Sequence, residues 1–391
     1  MLKEEKARCN RKEIVAFEQE TREPPSGQGK NSRTQERNSV VNPSHRETVL
    51  LVLFRGRGMM TDKNLTASSN PPTAEYPVAK TPLAELPDST ALYTFVGMVD
   101  IGTPSQTFNV IFDTGSTKAW VRPGASVGFF DTNKSTTFTE SGVVATEIDY
   151  GDGTVVQGTW ATDRITIAGF SSPAQPFVQA TVTTKNGNAT HAADGIVGMA
   201  RAVPPGTPPP MPMGTPAEIP YLTSWWQEIV AYRLVACPVF AFDFDTQART
   251  GQLTIGGVDQ AMVGGVAWIP LNTSNSAPLQ WTVQVTGMQV ANTSIPLSIA
   301  AGIDTGTSLI LLPTDLSVQI NTALRGTLNS SDRFPFWTVP YTGLPPVMIA
   351  FGATMVTLYP DQYTFRIQGG CRSGFSNSDK KFAVLGSMFL R

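Results

Sequence analysis

The chain is short of histidine, cysteine and charged residues for its length. Among 391 residues there are two histidines (His45 and His191), three cysteines (Cys9, Cys237 and Cys371) and 15% charged residues, against about 25% charged residues in an average soluble domain. Two histidines exclude a multi-histidine metal site and the HExxH zinc helix. Three scattered cysteines are too few for a zinc site or a disulfide framework. If the chain is an enzyme, carboxylates or hydroxyls must carry the chemistry.

Other classes of protein are disfavoured by what is missing. A Ser-His-Asp triad would have to use His191, and no G-x-S-x-G elbow accompanies it. Residues 64–391 hold 16 basic and 22 acidic side chains, a net charge of −6, which argues against a nucleic-acid partner. The apolar run Val49–Phe54 is six residues long, far too short to span a membrane. Residues 1–25 contain no apolar core of a signal peptide.

The composition changes along the chain. Residues 1–90 are polar and weakly periodic, which predicts a disordered N-terminal extension that could be removable. From Leu92 onwards, short runs rich in Val, Thr, Ile and Phe recur between turn residues, so we expect a mostly β fold. Residues 224–235 are a helix candidate, and they follow a proline-rich loop over residues 203–220.

An internal repeat suggests two related lobes. Residues 112–117 (FDTGST) recur as residues 303–308 (IDTGTS), and in each half an apolar pair followed by glycine comes later, at residues 196–198 and 384–386. Those glycines lie 85 and 82 residues after the respective aspartates, Asp113 and Asp304. Two equivalent lobes that each contribute one aspartate are the simplest architecture with this pattern.

A single Asp-Thr-Gly is an ordinary turn sequence, but two copies in matching context predict paired carboxylates. Two carboxylates within hydrogen-bond reach cannot both ionise easily, so they share one proton. Such a pair offers one acid and one base at the same pH. It can deprotonate a water molecule while it protonates a carbonyl oxygen.

These motifs resemble the pepsin-like aspartic proteases of family A1. The resemblance covers residues 92–391 and includes VDIGTPSQTFNVIFDTGSTKAWV (99–121), DYGDGTVVQGTW (149–160), ADGIVGMA (193–200), GQLTIGGVD (251–259) and AVLGSMF (383–389). It implies a bilobal pepsin-like fold, with an N-terminal lobe over residues 91–258, a C-terminal lobe over residues 259–391 and a cleft between them. It also implies an aspartic endopeptidase with an acidic pH optimum, without metal or cofactor.

The resemblance assigns a role to each motif residue. The catalytic aspartates would be Asp113 and Asp304, supported by hydroxyl and backbone groups of Thr114, Gly115, Ser116, Thr305, Gly306 and Thr307. A β-hairpin flap would close over the substrate with Tyr150, Gly151, Asp152 and Gly153, supported by Trp120. Aspartate at the flap tip is typical of fungal-type members, in which it allows lysine before the cleaved bond.

The resemblance also implies partners and a location. The substrate would be a polypeptide in extended conformation, the protein a monomer, and its location secreted or vacuolar. The second lobe of family members commonly has a disulfide. Cys371 matches one of its cysteines, whereas Tyr341 stands where the other is expected. We therefore expect Cys371 to be free.

Two alternatives to a protease stay open. In family members the segment that matches residues 384–386 is followed by a short helix and then strands, and about twenty of these residues are expected to be missing after Arg391, including the last strands of the second lobe. A catalytically inactive binding protein on the same fold is the first alternative. A phosphotransferase that uses Asp304 as nucleophile is the second, but Gly306 stands where that class has another aspartate.

Overall fold

The fold was analysed in a computed structural model. It describes residues 14–18, 49–53, 78–86, 94–124, 126, 128–150, 154–184, 187–188, 193–200, 222–235, 238–245, 248–257, 266–272, 281–330, 335–367 and 370–391. Throughout these ranges strands predominate and helices are short, which confirms the predicted mostly β class.

Within the described residues, fourteen strands form one large sheet. They are β1 (Ile14–Glu18), β2 (Val49–Leu53), β3 (Ala79–Glu85), β4 (Phe95–Ile101), β5 (Gln106–Asp113), β6 (Trp120–Val121), β7 (Thr139–Asp149), β8 (Thr154–Ile167), β9 (Phe170–Thr184), β10 (Gly187–Asn188), β11 (Gly195–Gly198), β12 (Val239–Asp245), β13 (Thr250–Ile255) and β14 (Val266–Pro270). Their order is β14-β1-β2-β12-β13-β3-β4-β5-β11-β6-β9-β8-β7, and β10 pairs with β9.

The C-terminal part of the described chain forms two further sheets. Its strands are β15 (Thr282–Val290), β16 (Thr293–Ile303), β17 (Ile310–Pro313), β18 (Thr327–Asn329), β19 (Phe336–Val339), β20 (Val347–Phe351), β21 (Thr354–Leu358), β22 (Thr364–Ile367), β23 (Gly370–Ser373), β24 (Phe375–Ser378) and β25 (Ala383–Leu385). One sheet has the order β21-β20-β15-β16-β25-β17-β24, and the other has the order β18-β19-β23-β22.

Four short α-helices connect these strands in the described ranges. They are α1 (Trp225–Ala231), α2 (Thr314–Ala323), α3 (Pro360–Tyr363) and α4 (Ser387–Leu390). Helix α1 confirms the helix predicted within residues 224–235. It begins at a capping box in which the Ser224 hydroxyl accepts from the Gln227 backbone and the Gln227 side chain accepts from the Ser224 backbone. It ends before Arg233, whose φ of 57° is left-handed. The proline-rich stretch 203–220 lies outside the described residues, as does most of 1–90.

The sequence repeat corresponds to a repeated strand arrangement. Strand β11 lies between β5, to which it is parallel, and β6, to which it is antiparallel. Strand β25 lies in the same way between β16 and β17. The first aspartate motif begins at the end of β5 and the second directly follows β16. Each aspartate is thus held at the end of a strand that is paired with its own copy of the apolar-apolar-glycine segment.

Aromatic packing joins the two repeats. Trp281 is fully buried at the start of β15, and its ring lies edge-on to Phe240 of β12 at 5.5 Å between centroids. Its indole nitrogen donates to the Met199 carbonyl oxygen at 3.1 Å, and its own carbonyl oxygen accepts from the Ile303 amide at 2.8 Å. Ile303 is the last residue of β16, and Met199 follows β11, which pairs with β5, so one buried tryptophan contacts both aspartate frameworks.

Three strands lie within the stretch predicted to be disordered. They are β1, β2 and β3, and all belong to the large sheet. The polar composition of residues 1–90 masks the short apolar runs that form these strands. Each of them has a partner more than 160 residues away, in β14, β12 or β13. The lobe boundaries themselves stay a prediction.

Among the described residues, no helix is both long and apolar enough to cross a membrane.

The glycine of each apolar-apolar-glycine segment allows a close backbone approach. A Cβ on Gly198 would lie 2.6 Å from the Thr117 carbonyl oxygen, and one on Gly386 would overlap the carbonyl oxygens of Thr307 and Leu309. The backbone that follows each aspartate motif therefore packs directly against the glycine of the apolar-apolar-glycine segment, and a side chain there would block this contact.

Replacing Gly386 by alanine should destabilise the protein because the obstructing atoms belong to the backbone. We expect the free energy of unfolding to fall by about 1–3 kcal/mol, the usual cost of forcing atoms into a packed interior. Urea unfolding monitored by fluorescence measures it. Gly287→Ala is the matched control, since a Cβ there meets nothing nearer than 3.9 Å. Equal losses in the two variants would contradict this explanation.

Candidate active site

The two aspartate motifs meet face to face. A Cβ on Gly115 would lie 2.6 Å from the carboxyl carbon of Asp304, and one on Gly306 would lie 2.5 Å from Oδ1 of Asp113. Each motif glycine therefore lies against the carboxylate of the other motif, and any side chain there would push the carboxylates apart. The charge of Asp304 lies close enough to raise the pKa of the Asp113 carboxyl group.

Each carboxylate accepts the same pair of hydrogen bonds from its own motif. Oδ1 of Asp113 accepts from the Gly115 amide at 2.8 Å, and Oδ2 accepts from the Ser116 hydroxyl at 2.5 Å. For Asp304, Oδ1 accepts from the Gly306 amide at 2.8 Å and Oδ2 from the Thr307 hydroxyl at 2.7 Å. These donors fix the plane of each carboxyl group, so the pair is oriented before any ligand arrives.

Two buried threonines brace the motifs against each other. The Thr114 amide donates to the Thr305 hydroxyl oxygen at 3.1 Å, and the Thr305 amide donates to the Thr114 hydroxyl oxygen at 3.0 Å. The Thr114 hydroxyl donates to the Ile303 carbonyl oxygen at 2.9 Å, and that of Thr305 donates to the Phe112 carbonyl oxygen at 2.5 Å. Every polar group of this brace is paired across the two repeats, so it holds both strand ends in register.

The environments of the two carboxyl groups differ. Asp113 is 6% exposed, whereas Asp304 is partly exposed. Burial raises the pKa of Asp113 well above its ordinary value, and the charge of Asp304 raises it further, although hydrogen bonds from Ser116 and Gly115 oppose the shift. A buried carboxyl beside a second carboxylate favours its neutral form, so the pair retains a proton at a pH where an exposed aspartate has lost it.

The two strands predicted to form the flap are paired, and the residue that follows the first of them contacts Trp120. Strands β7 and β8 are antiparallel neighbours, and Tyr150 follows β7. The hydroxyl oxygen of Tyr150 accepts from the indole nitrogen of Trp120 at 2.8 Å, and Trp120 is fully buried. The predicted contact between these two residues is therefore present. The predicted tip residues, Gly151, Asp152 and Gly153, lie outside the described residues.

The sequence did not point to two other polar contacts at the motifs. The Ser387 hydroxyl, which is buried at the start of α4, donates to the Thr305 carbonyl oxygen at 3.2 Å. The hydroxyls of Thr94 and Ser308 lie 3.3 Å apart and join the two repeats beside the second motif. The only available signal was that Ser387 follows the glycine of the repeated segment. Serine and threonine at these positions are too common to be singled out.

Cys371 is buried and forms no disulfide, as expected from the tyrosine at position 341. Cys9 and Cys237 lie outside the described residues. The described part of the chain contains no group of three or more His, Cys, Asp or Glu side chains that could hold a metal ion.

Comparison with known proteins places the fold and site in a class. Residues 94–391 match the family "Eukaryotic aspartyl protease". Pregnancy-associated glycoprotein 2 of Bos taurus is 31% identical over 312 residues, which are 76% of this chain and 77% of the relative. Probable vacuolar protease A of Trichophyton verrucosum is 30% identical over 311 residues, 75% and 73% of the two chains. Chymosin of Camelus dromedarius is 27% identical over 365 residues, 89% of each chain.

The chain therefore belongs to the pepsin-like family of eukaryotic aspartyl proteases. The finer assignment to fungal-type members stays a prediction, because the relatives are mammalian as well as fungal.

Removing the Thr305 hydroxyl should weaken the brace between the motifs. In Thr305→Val, the Phe112 carbonyl oxygen and the Thr114 amide each lose a buried partner. We expect the free energy of unfolding to fall by about 1–3 kcal/mol per unsatisfied group. Thr305→Ser keeps the hydroxyl and should retain most of the stability in urea unfolding. A serine variant as unstable as the valine variant would contradict this role of the hydroxyl.

The shifted pKa of Asp113 makes stability depend on pH in a defined direction. Because the pKa is raised in the folded state, the folded protein favours the protonated form. The resulting stabilisation is fully present below the ordinary pKa, 3.8, and is lost as the pH rises through the folded-state value. Urea unfolding across this pH range should show the loss in the natural chain and a flatter profile in Asp113→Asn. Identical profiles would contradict the shift.

Proposed function

We propose that the protein is an aspartic endopeptidase that hydrolyses peptide bonds with Asp113 and Asp304 as its catalytic pair. The observation that carries the proposal is the mutual approach of the two carboxyl groups, each held by two donors of its own motif. Family membership supports the reaction type.

The chemistry follows from one proton shared by the pair. A water molecule held between the carboxyl groups attacks the carbonyl carbon of the peptide bond and loses a proton to the charged carboxylate. The shared proton passes to the carbonyl oxygen, which gives a tetrahedral diol. When this intermediate collapses, the C–N bond breaks and the amine nitrogen takes a proton from the pair. One hydroxyl of the diol gives its proton back to the pair as it becomes the new carbonyl, so the pair again holds one proton. No covalent enzyme intermediate and no metal ion take part.

The site also accounts for the expected dependence on pH. Full ionisation of the pair removes its acid, so activity should be greatest at acidic pH and fall as the pH rises. The raised pKa of Asp113 extends the range in which one proton is retained. Because the two groups are in contact, the titration belongs to the pair and not to either residue alone.

We propose that the substrate binds as an extended polypeptide under the β7–β8 hairpin. An extended chain can form β-type hydrogen bonds with the hairpin and place apolar side chains on either side of the cleaved bond. The hydrogen bond that Trp120 donates to the Tyr150 hydroxyl supports a role for Tyr150 in this flap. Supporting roles for Thr114, Gly115, Ser116, Thr305, Gly306 and Thr307 follow from their bonds to the pair, and Gly151, Asp152 and Gly153 would complete the flap.

The setting of the enzyme is proposed from its relatives. Relatives named vacuolar protease A suggest a vacuolar location, and chymosin suggests a secreted one. We propose that the working form is a monomer in which residues 91–258 and 259–391 form the two lobes, one carrying each aspartate. The partner is a polypeptide, and nucleic acid has no part.

Replacing Asp304 by asparagine should abolish proteolysis. The variant keeps the shape of the side chain but removes one ionisable member of the pair. Cleavage of an unfolded protein at acidic pH, followed by mass spectrometry of the products, measures the activity. We expect a loss of at least about 1,000-fold, in line with the combined contributions of the acid and the base. A statine-type inhibitor should block the natural chain as completely.

The matched control is Asp379→Asn, the same change at an exposed turn residue of the second repeat. It should cleave as fast as the natural chain. If the natural chain is folded by circular dichroism and cleaves nothing, the proposal fails, and a binding protein on the same fold becomes the better description. Activity that survives in Asp304→Asn would also refute it.

A further inference from the structure

Two strands from the N-terminal segment lie near one end of the large sheet, directly inside its edge strand β14. Strands β1 and β2 lie between β12 and β14, in the order β14-β1-β2-β12. Strand β1 pairs antiparallel with β14, from Ile14 opposite Pro270 to Glu18 opposite Val266. Within the described residues, β12 and β14 are therefore joined through β1 and β2 and not to each other.

Strand β2 is an interior strand, paired on both sides. Its five residues pair in parallel with β12, from Val49 opposite Val239 to Leu53 opposite Asp243. On its other side, Leu50 and Leu51 lie opposite Val15 and Ala16 of β1. An interior strand has both of its hydrogen-bonding edges occupied, so it is held more firmly than a strand at the edge of a sheet.

Strand β12, which pairs with β2, would be unfavourable as a solvent-exposed sheet edge. Phe240, Phe242 and Phe244 of β12 are all at most 2% exposed, and Phe240 packs against the central Trp281. Without β2, this apolar strand would present a row of unpaired backbone groups to solvent. Such an edge readily recruits another strand, so the gap between β12 and β14 is a binding slot for extended chain.

The two strands that border the slot lead to different members of the aspartate pair. From β12 the sheet continues through β13, β3 and β4 to β5, which ends at Asp113. Strand β14 is linked to β15 by a hydrogen bond: the amide of Asn272, which follows β14, donates to the Thr282 carbonyl oxygen at 2.7 Å. Strand β15 pairs with β16, which precedes Asp304. The N-terminal strands thus contribute to holding together the two frameworks that carry the aspartates.

We propose that strands β1 and β2 form an insert that docks in the slot between β12 and β14 and remains a permanent part of the working molecule. The segment would stay bound even if the chain were cut after it, because β1 pairs with β14 and β2 pairs with β12. In this proposal, the part of the N-terminal extension that forms β1 and β2 is a structural element and is not removed. This inference concerns assembly and does not depend on proteolytic activity.

Cutting the full chain once, after β2, tests retention directly. A recognition sequence for a specific protease is inserted between residues 60 and 70, in the Asp304→Asn background to prevent self-digestion. After cleavage, size-exclusion chromatography and mass spectrometry show whether residues 1–60 elute with the body. We expect the segment to co-elute. Release of the segment from a body that keeps its far-ultraviolet circular dichroism would overturn the proposal.

A proline in β2 tests whether pairing is what retains the segment. Leu51→Pro removes an amide donor from an interior strand, where proline is not tolerated. In the cut protein it should increase the released fraction at least tenfold. Ser32→Pro, in the same segment but outside both strands, is the matched control and should not. Equal retention in the two proline variants would overturn the proposal.

A cross-link in the uncut chain provides a measurement that does not rely on destabilised variants. Leu51 and Ala241 are register partners, so cysteines at both positions should form a disulfide under mild oxidation. Cysteines at Leu51 and Asp243, two residues out of register, should not. Peptide mapping distinguishes these bonds from any that involve the natural cysteines. Equal cross-linking of both pairs, or none of the first, would contradict the docked register.

Discussion

The site depends on the reciprocal hydrogen bonds between Thr114 and Thr305. Two carboxylates repel each other, and only a rigid frame can keep them in contact. The brace supplies that frame because it binds backbone to side chain in both directions and leaves none of its buried groups unpaired. Glycine at positions 115 and 306 is the second condition, since each must lie against the opposite carboxylate.

The surrounding strands transmit this constraint to the rest of the molecule. Each motif follows a strand that pairs with its own apolar-apolar-glycine segment, and Trp281 contacts the residues next to both. Each half of the site is held by its own strand pairing, and a few buried hydrogen bonds join the two halves. The burial of Asp113 beside Asp304 raises its pKa, so the pair keeps one proton. The fold thereby sets the protonation state that the proposed reaction needs.

Much of the site could be predicted from the sequence because its signals are local. Each Asp-Thr-Gly motif is recognisable from a few neighbouring residues, and so is the helix predicted within residues 224–235. The bond between Trp120 and Tyr150 came only with the family resemblance. Strands β1 and β2 could not be predicted, because a short apolar run in a polar stretch is ambiguous, and the strands that hold them in the sheet, β14 and β12, are about 190 residues or more away. The contacts of Ser387 and Thr94 were hidden for the same reason, since they arise only when distant segments meet.

The most direct test of this account is the protonation state of the carboxyl pair. Carbon-13 labelling of aspartate carboxyl groups and NMR titration report it without any substrate. The account predicts one carboxyl signal that stays protonated well above the usual pH range for aspartate, and that this signal disappears in Asp113→Asn. If all aspartate signals of the folded chain titrate in the ordinary range, the two carboxyl groups do not share a proton, and the account is wrong.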